Sequence, residues 1–119
     1  MSTVNLTKES FQAAVTGDGI VLVDWWADWC APCKSFAPVF ERASENHPEI
    51  TFAKVDTEAE ERLAAIAGIS SIPTLMVFRD GVMVFSEPGA LSAAALETVI
   101  TAVQELDMDD VRAKLDAAE

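Results

Sequence analysis

Two cysteines stand two residues apart in Trp29-Cys30-Ala31-Pro32-Cys33, and they are the only cysteines in the chain. A Cys-x-x-Cys pair that follows an apolar strand and opens a helix reads as a redox dithiol. The spacing lets the two sulfurs meet within one helical turn, so the pair can cycle between dithiol and disulfide with little movement of the fold. Cys30, at the helix N-terminus, is expected to attack, because the positive end of the helix dipole and free backbone N–H groups favour a thiolate. Cys33, one turn into the helix and less exposed, is expected to resolve the mixed disulfide by attacking Cys30. Pro32 suits the first helical turn and sets that turn without reacting. No bound cofactor is required, since both electrons reside on the two sulfurs.

The elements that must hold this pair are legible around it. Ile20-Val21-Leu22-Val23-Asp24-Trp25-Trp26 is a nearly continuous apolar run, as in a central strand buried on both faces. Asp24 alone interrupts it. Burial disfavours its charged form, which leaves two readings: a carboxyl poised to take the proton of Cys33, or a buried ion pair with Lys54 on the neighbouring strand. Trp25 and Trp26 are read as core. After the dithiol, Phe36, Val39, Phe40 and Ala43 recur at helical spacing, with Pro38 expected to kink the helix and His47-Pro48 to end it. His47 is read as a surface residue.

Further along, residues 50–55 form a short strand pattern. Residues 58–67 form a helix with Leu63 and Ile66 inward, and residues 74–79 form another strand. Asp80-Gly81 is a strong hairpin signal, returning through residues 82–85. Ser92 caps a last helix with Leu96, Val99, Ile100 and Val103 on its buried stripe. At the start of the chain, Thr7 is placed to cap a first helix, with Leu6 and Phe11 as a hydrophobic staple. The order helix, strand, helix, strand, helix, strand, strand, helix predicts an α/β fold: a central mixed sheet flanked on both faces by helices. Residues 1–106 would form the domain. Residues 107–119 would form an acidic tail, with one or two helical turns near residues 111–115.

The chain has 119 residues, the size of one domain with one core. Twenty acidic against eight basic residues give a net charge of −12. This argues against nucleic acid, which needs a basic footprint, and against anionic lipid. No apolar stretch approaches the roughly 20 residues that span a bilayer, and the polar start has no leader pattern. A cytoplasmic location and a monomeric state are expected. Two cysteines and one histidine are a poor set for structural zinc, so no metal is expected.

The segments Val21 to Lys34, Lys54-Val55-Asp56, Ser71-Ile72-Pro73-Thr74-Leu75, Gly81 and Gly89-Ala90-Leu91 together resemble the thioredoxin family, in the right order and over almost the whole chain. The resemblance implies the thioredoxin fold, reduction of oxidised protein substrates, and recycling by an NADPH-dependent thioredoxin reductase that maintains cell redox homeostasis. It implies that Asp24, with Lys54 as partner, serves the proton transfer from Cys33. It also implies a cis peptide at Pro73, and a substrate groove at Trp29, Ala31, Pro32, Ile72, Pro73, Gly89 and Ala90. Ala31 stands where the family usually has glycine and Trp25 where phenylalanine is more usual, and the chain after Leu106 extends past the usual family end. Two other functions compete. One is an oxidant or isomerase of folding proteins, against which the missing leader and Pro32 weigh. The other is a binding module, against which the intact dithiol, Asp24 and Pro73 weigh.

Overall fold

The computed structural model describes residues 2–118. Its elements in chain order are β1 (Thr3–Asn5), α1 (Phe11–Thr16), β2 (Ile20–Trp26), α2 (Ala31–Asn46), β3 (Thr51–Asp56), α3 (Glu61–Ile66), β4 (Thr74–Arg79), β5 (Val82–Pro88), α4 (Ala93–Gln104) and α5 (Met108–Ala118). The described strands form one sheet in the order β1-β3-β2-β4-β5. β3 runs parallel to both β1 and β2, whereas β4 runs antiparallel to β2 and β5. This is the expected mixed sheet with helices on both faces.

The two-residue period of the strands sorts the core into two halves. Leu22, Phe52, Leu75 and Val77 point to one face and pack with Phe36, Phe40 and Ala43 of α2 and Leu96, Ile100 and Val103 of α4. Val21, Val23, Trp25, Ala53, Val55 and Met76 point to the other, with Val15 of α1 and Ala64 of α3. Fully burying side chains of this size contributes about 1.5–3 kcal/mol each. Asp24 and Lys54 fall on the α2 face by the same alternation, so the strand pattern itself delivers a carboxyl beneath the helix that carries the dithiol.

Several expectations shift. β1 escapes sequence reading because it is only three mostly exposed residues, and it is held by pairing with β3 and by the Thr3 hydroxyl donating to Glu41 Oε2 at 3.1 Å. The first helix is capped by a turn: the Thr7 carbonyl accepts from the N–H groups of Ser10 and Phe11, and the Ser10 hydroxyl accepts from Thr7 N–H at 3.0 Å. Leu6 and Phe11 do join one core cluster. α3 begins at Glu61, later than expected, and Ile66 is not inward: it is 77% exposed at the helix end, while Leu63 packs inside. α2 continues through Pro38, and Ser92 caps α4 by accepting from Ala95 N–H at 3.1 Å. Asp80 (φ 52°) and Gly81 (φ 83°) build the hairpin turn, and a Cβ on Gly81 would sit 3.1 Å from the Thr16 carbonyl oxygen.

The tail is more ordered than its acidity suggests. Arg79 Nη1 donates to the carbonyls of Val103 (2.8 Å) and Gln104 (3.3 Å), serving the open C-terminal carbonyls of α4, and to the Leu106 carbonyl just beyond it (2.7 Å). Asp107 accepts from Asp110 N–H to cap α5, Met108 is buried, and Arg112 donates to the Asp80 carbonyl at 2.8 Å. α5 is therefore an eleven-residue helix tied to the hairpin.

His47 is not a plain surface residue. Its side chain is only 19% exposed, stacks on Phe52, and bonds Glu97 of α4 at 2.8 Å, with Glu49 at 3.5 Å. The hydrogen bond to Glu97 is the main reason its pKa lies above the usual 6.5, with burial opposing. A group raised in the folded state stabilises fully below its unfolded pKa, and that contribution fades as pH rises through the folded value. Glu97→Gln should therefore lower stability by up to about 1 kcal/mol near pH 6, screened because Glu97 is half exposed, and by much less near pH 9. Chemical denaturation at the two pH values checks this, and an equal loss at both would contradict it.

Candidate active site

The dithiol sits where β2 hands over to α2. β2 ends at Trp26, a short turn brings Cys30 N–H to the Ala27 carbonyl at 3.2 Å, and Cys30 becomes the N-cap of α2. Its Sγ accepts from Cys33 N–H at 3.2 Å. The two cysteines form a disulfide, with Cα atoms 5.2 Å apart. Ala31 and Pro32 are the first two residues of the helix and both are exposed. The expected difference in exposure between the cysteines is absent: Cys30 is 4% and Cys33 3% exposed. They differ in surroundings instead. Cys30 lies by the cis-proline loop, and Cys33 lines a small cleft with Trp26 and Lys54.

On the surface side, Cys30 Sγ lies 3.7 Å from the Ile72 carbonyl oxygen. The Ile72–Pro73 peptide is cis, as the resemblance implied. Pro73 is buried, Ile72 is half-buried, and the Pro73 carbonyl accepts from Gly89 N–H at 2.8 Å. Gly89 has φ +108°, a conformation that favours glycine, but a Cβ there would meet nothing within 4 Å. Backbone conformation, rather than tight packing within the chain, accounts for the glycine. Ala90 follows, exposed. Trp29 is 67% exposed, and its indole N–H donates to Glu58 Oε2 at 2.8 Å. Glu58 has no sequence signal that would have paired it with a tryptophan 29 residues away.

On the face of the sheet beneath α2, Asp24 is wholly buried, and neither carboxyl oxygen has a hydrogen-bond partner among the described residues. Burial pushes its pKa up from 3.8 to about 7, with the positive charge of Lys54 pulling the other way. Lys54 is the register partner of Asp24, as expected. It makes no hydrogen bond to that carboxylate, however, and its ammonium lies 5.0 Å from the centre of the Trp26 ring. A cleft of about 90 Å³ is lined by Trp26, Ala27, Asp28, Cys33, Lys34, Ala37 and Lys54. Trp26 is thus a wall of the site rather than core, whereas Trp25 is core, fully buried against Phe11. Among the described residues, no cluster of His, Cys, Asp and Glu could hold a metal ion, and no helix is long and apolar enough to cross a membrane.

A helix-capping disulfide beside a cis-proline loop, on a mixed sheet of this order, defines a thiol–disulfide oxidoreductase. Comparison with known proteins places it more closely. The thioredoxin family signature matches residues 2–102, and the chain belongs to the thioredoxin family. It is 58% identical over 111 residues to the Streptomyces coelicolor protein described as "Putative thioredoxin 2", covering 93% of this chain and 83% of that one. It is 39% identical over 101 residues to thioredoxin of Bacillus subtilis, covering 84% of this chain and 96% of that one. Among solved structures, the Malassezia sympodialis thioredoxin Mala s 13 superposes with a TM-score of 0.77 at 33% identity, over 85% of this chain and 90% of that one.

The buried Asp24 has a measurable cost. Between the unfolded pKa near 4 and the folded value of about 7, the folded state holds a proton that the unfolded state has released. Stability therefore falls as pH rises through that window, by about 4 kcal/mol in all if the full shift acts. Asp24→Asn removes the titration. The variant should gain stability relative to the parent as pH rises from 5 to 8, and denaturant unfolding of the oxidised proteins reads this directly. A pH-independent difference would contradict the assignment.

Proposed function

We propose that the chain is a protein-disulfide reductase that works by dithiol exchange and is recycled by an NADPH-dependent thioredoxin reductase, acting as a cytoplasmic monomer in redox homeostasis. The observation that carries this reading is the division of the site. Cys30 Sγ lies against the cis-proline loop at the Ile72 carbonyl, and Cys33 lines a cleft with Lys54, the register partner of the unpartnered Asp24 carboxyl.

In the reduced protein, the Cys30 thiolate is favoured by the α2 N-terminus. It attacks one sulfur of a substrate disulfide, forms an S–S bond to the substrate, and expels the first substrate thiolate. Cys33 then loses its proton, attacks Cys30 Sγ, closes the Cys30–Cys33 disulfide and expels the second substrate thiolate. Two electrons pass from the dithiol to the substrate. Asp24, with a pKa near neutrality, is matched to accept the Cys33 proton through water in the cleft. Trp29, Ala31, Pro32, Ile72, Pro73, Gly89 and Ala90 form the docking groove. The backbone beside Pro73 and Gly89 offers main-chain hydrogen bonds that do not depend on substrate sequence.

Cys30→Ser should abolish reduction of a disulfide-bonded protein by NADPH and thioredoxin reductase. Cys33→Ser should instead accumulate a mixed disulfide between Cys30 and the substrate, visible by mass spectrometry under non-reducing conditions. Free reduced product from Cys33→Ser, at the parent rate, would overturn the roles assigned to the two sulfurs.

A further inference from the structure

An aspartate and a lysine that are register partners on adjacent strands, pointing to one face, are placed to attract one another across the strands. Here no hydrogen bond joins them. Both Asp24 oxygens are buried without a hydrogen-bond partner among the described residues, and the Lys54 ammonium sits over the face of Trp26, 5.0 Å from the ring centre. A cation over an indole is held by the negative face of the ring. Trp26 is the next residue on the same face of β2, two positions from Asp24, so its ring competes with the carboxyl for the same ammonium. The indole N–H is itself buried and unpartnered among the described residues. Trp26, Lys54 and Cys33 all line the cleft of about 90 Å³, which has room for a few waters. The other charged groups lining it are Asp28, from the turn before α2, and Lys34 of α2. Asp56 at the end of β3 is the register neighbour of Trp26.

We propose that Trp26 is a positioning residue for the reaction: its ring holds the Lys54 ammonium at the cleft wall and off Asp24, leaving the carboxyl free to exchange a proton with Cys33 through the cleft. The proposal rests on the reading of Asp24 as the proton acceptor for Cys33. Lys54 then acts on Asp24 only through space, tempering the effect of burial without locking the carboxylate into a bonded pair. An ammonium bonded to Asp24 would hold it ionised and weaken it as a base.

The native protein gives the first test. The Lys54 ε-methylene protons should show an upfield ring-current shift by NMR, and random-coil positions would overturn the geometry without any variant. The second test is the titration of the Asp24 carboxyl, followed by ¹³C NMR in the reduced protein. In Trp26→Leu, Lys54 is released onto Asp24, and the midpoint should fall by roughly half a pH unit or more. Removal of the ring also admits water, which lowers the midpoint without any help from lysine. The same substitution is therefore made in a Lys54→Met background, where the fall should largely disappear. An undiminished fall in that background, or no fall in Trp26→Leu, overturns the positioning role. The pH profile of substrate release from the Cys30 mixed disulfide separates the two claims. A profile that moves to lower pH with the midpoint supports both. A midpoint that moves while the profile stays fixed overturns the proton-transfer reading, and with it the catalytic consequence of Trp26.

Discussion

Strand β2 has no side that faces water. It lies in the middle of the sheet between β3 and β4, so its side chains from Val21 to Trp25 are all buried, on one face or the other. Its odd-numbered members Val21, Val23 and Trp25 draw α1 and α3 to one face. Its even-numbered member Leu22 draws α2 and α4 to the other. Asp24 is carried onto the α2 face by that alternation, and the strand ends four residues before Cys30. One period-two pattern thus sets the layers, the position of the dithiol helix, and the carboxyl beneath it.

The site works against the stability of the fold. A solvated carboxyl would cost nothing at neutral pH, whereas the buried and unpartnered Asp24 penalises the folded state whenever it ionises. A closed pair with Lys54 would relieve that cost and would also hold the carboxylate in its charged form. The arrangement over Trp26 keeps the cost and keeps the group titratable near neutrality. The fold tolerates this because two large apolar clusters enclose the strand. On the surface side the demands differ: Trp29 remains 67% exposed, with its indole N–H bonded to Glu58.

Strong local signals were legible in the sequence, and long-range pairing was not. Buried strands β2 and β4, the apolar stripes of α2 and α4, the Ser92 cap and the Asp80-Gly81 turn each follow from a pattern within a few residues. β1 and the docked α5 depend on partners far along the chain. Thr3–Asn5 becomes a strand only through β3, and α5 is held by Arg112 and the buried Met108, with Arg79 fixing the Leu106 carbonyl of the segment that leads into it. Ile66 satisfied the helical period yet faces solvent, because α3 is only six residues long and the stripe ends before it. In the site, Cys30, Cys33 and Asp24 were legible from residue type and context. The cis peptide, and the residues proposed for the docking groove, were legible only through the family resemblance. The seat of Lys54 over Trp26 depends on a side-chain choice between two acceptable partners, which no spacing rule decides.

The claim that this dithiol donates electrons to protein disulfides is tested most directly by the equilibrium reduction potential of the Cys30–Cys33 couple, measured against a dithiothreitol or glutathione buffer. The account predicts a reducing value near −270 mV, about the thioredoxin level, with Ala31 in place of glycine making little difference. A value near −180 mV, about the level of a disulfide isomerase, would mean that the couple tends to accept electrons from other proteins, and would contradict the reductase assignment.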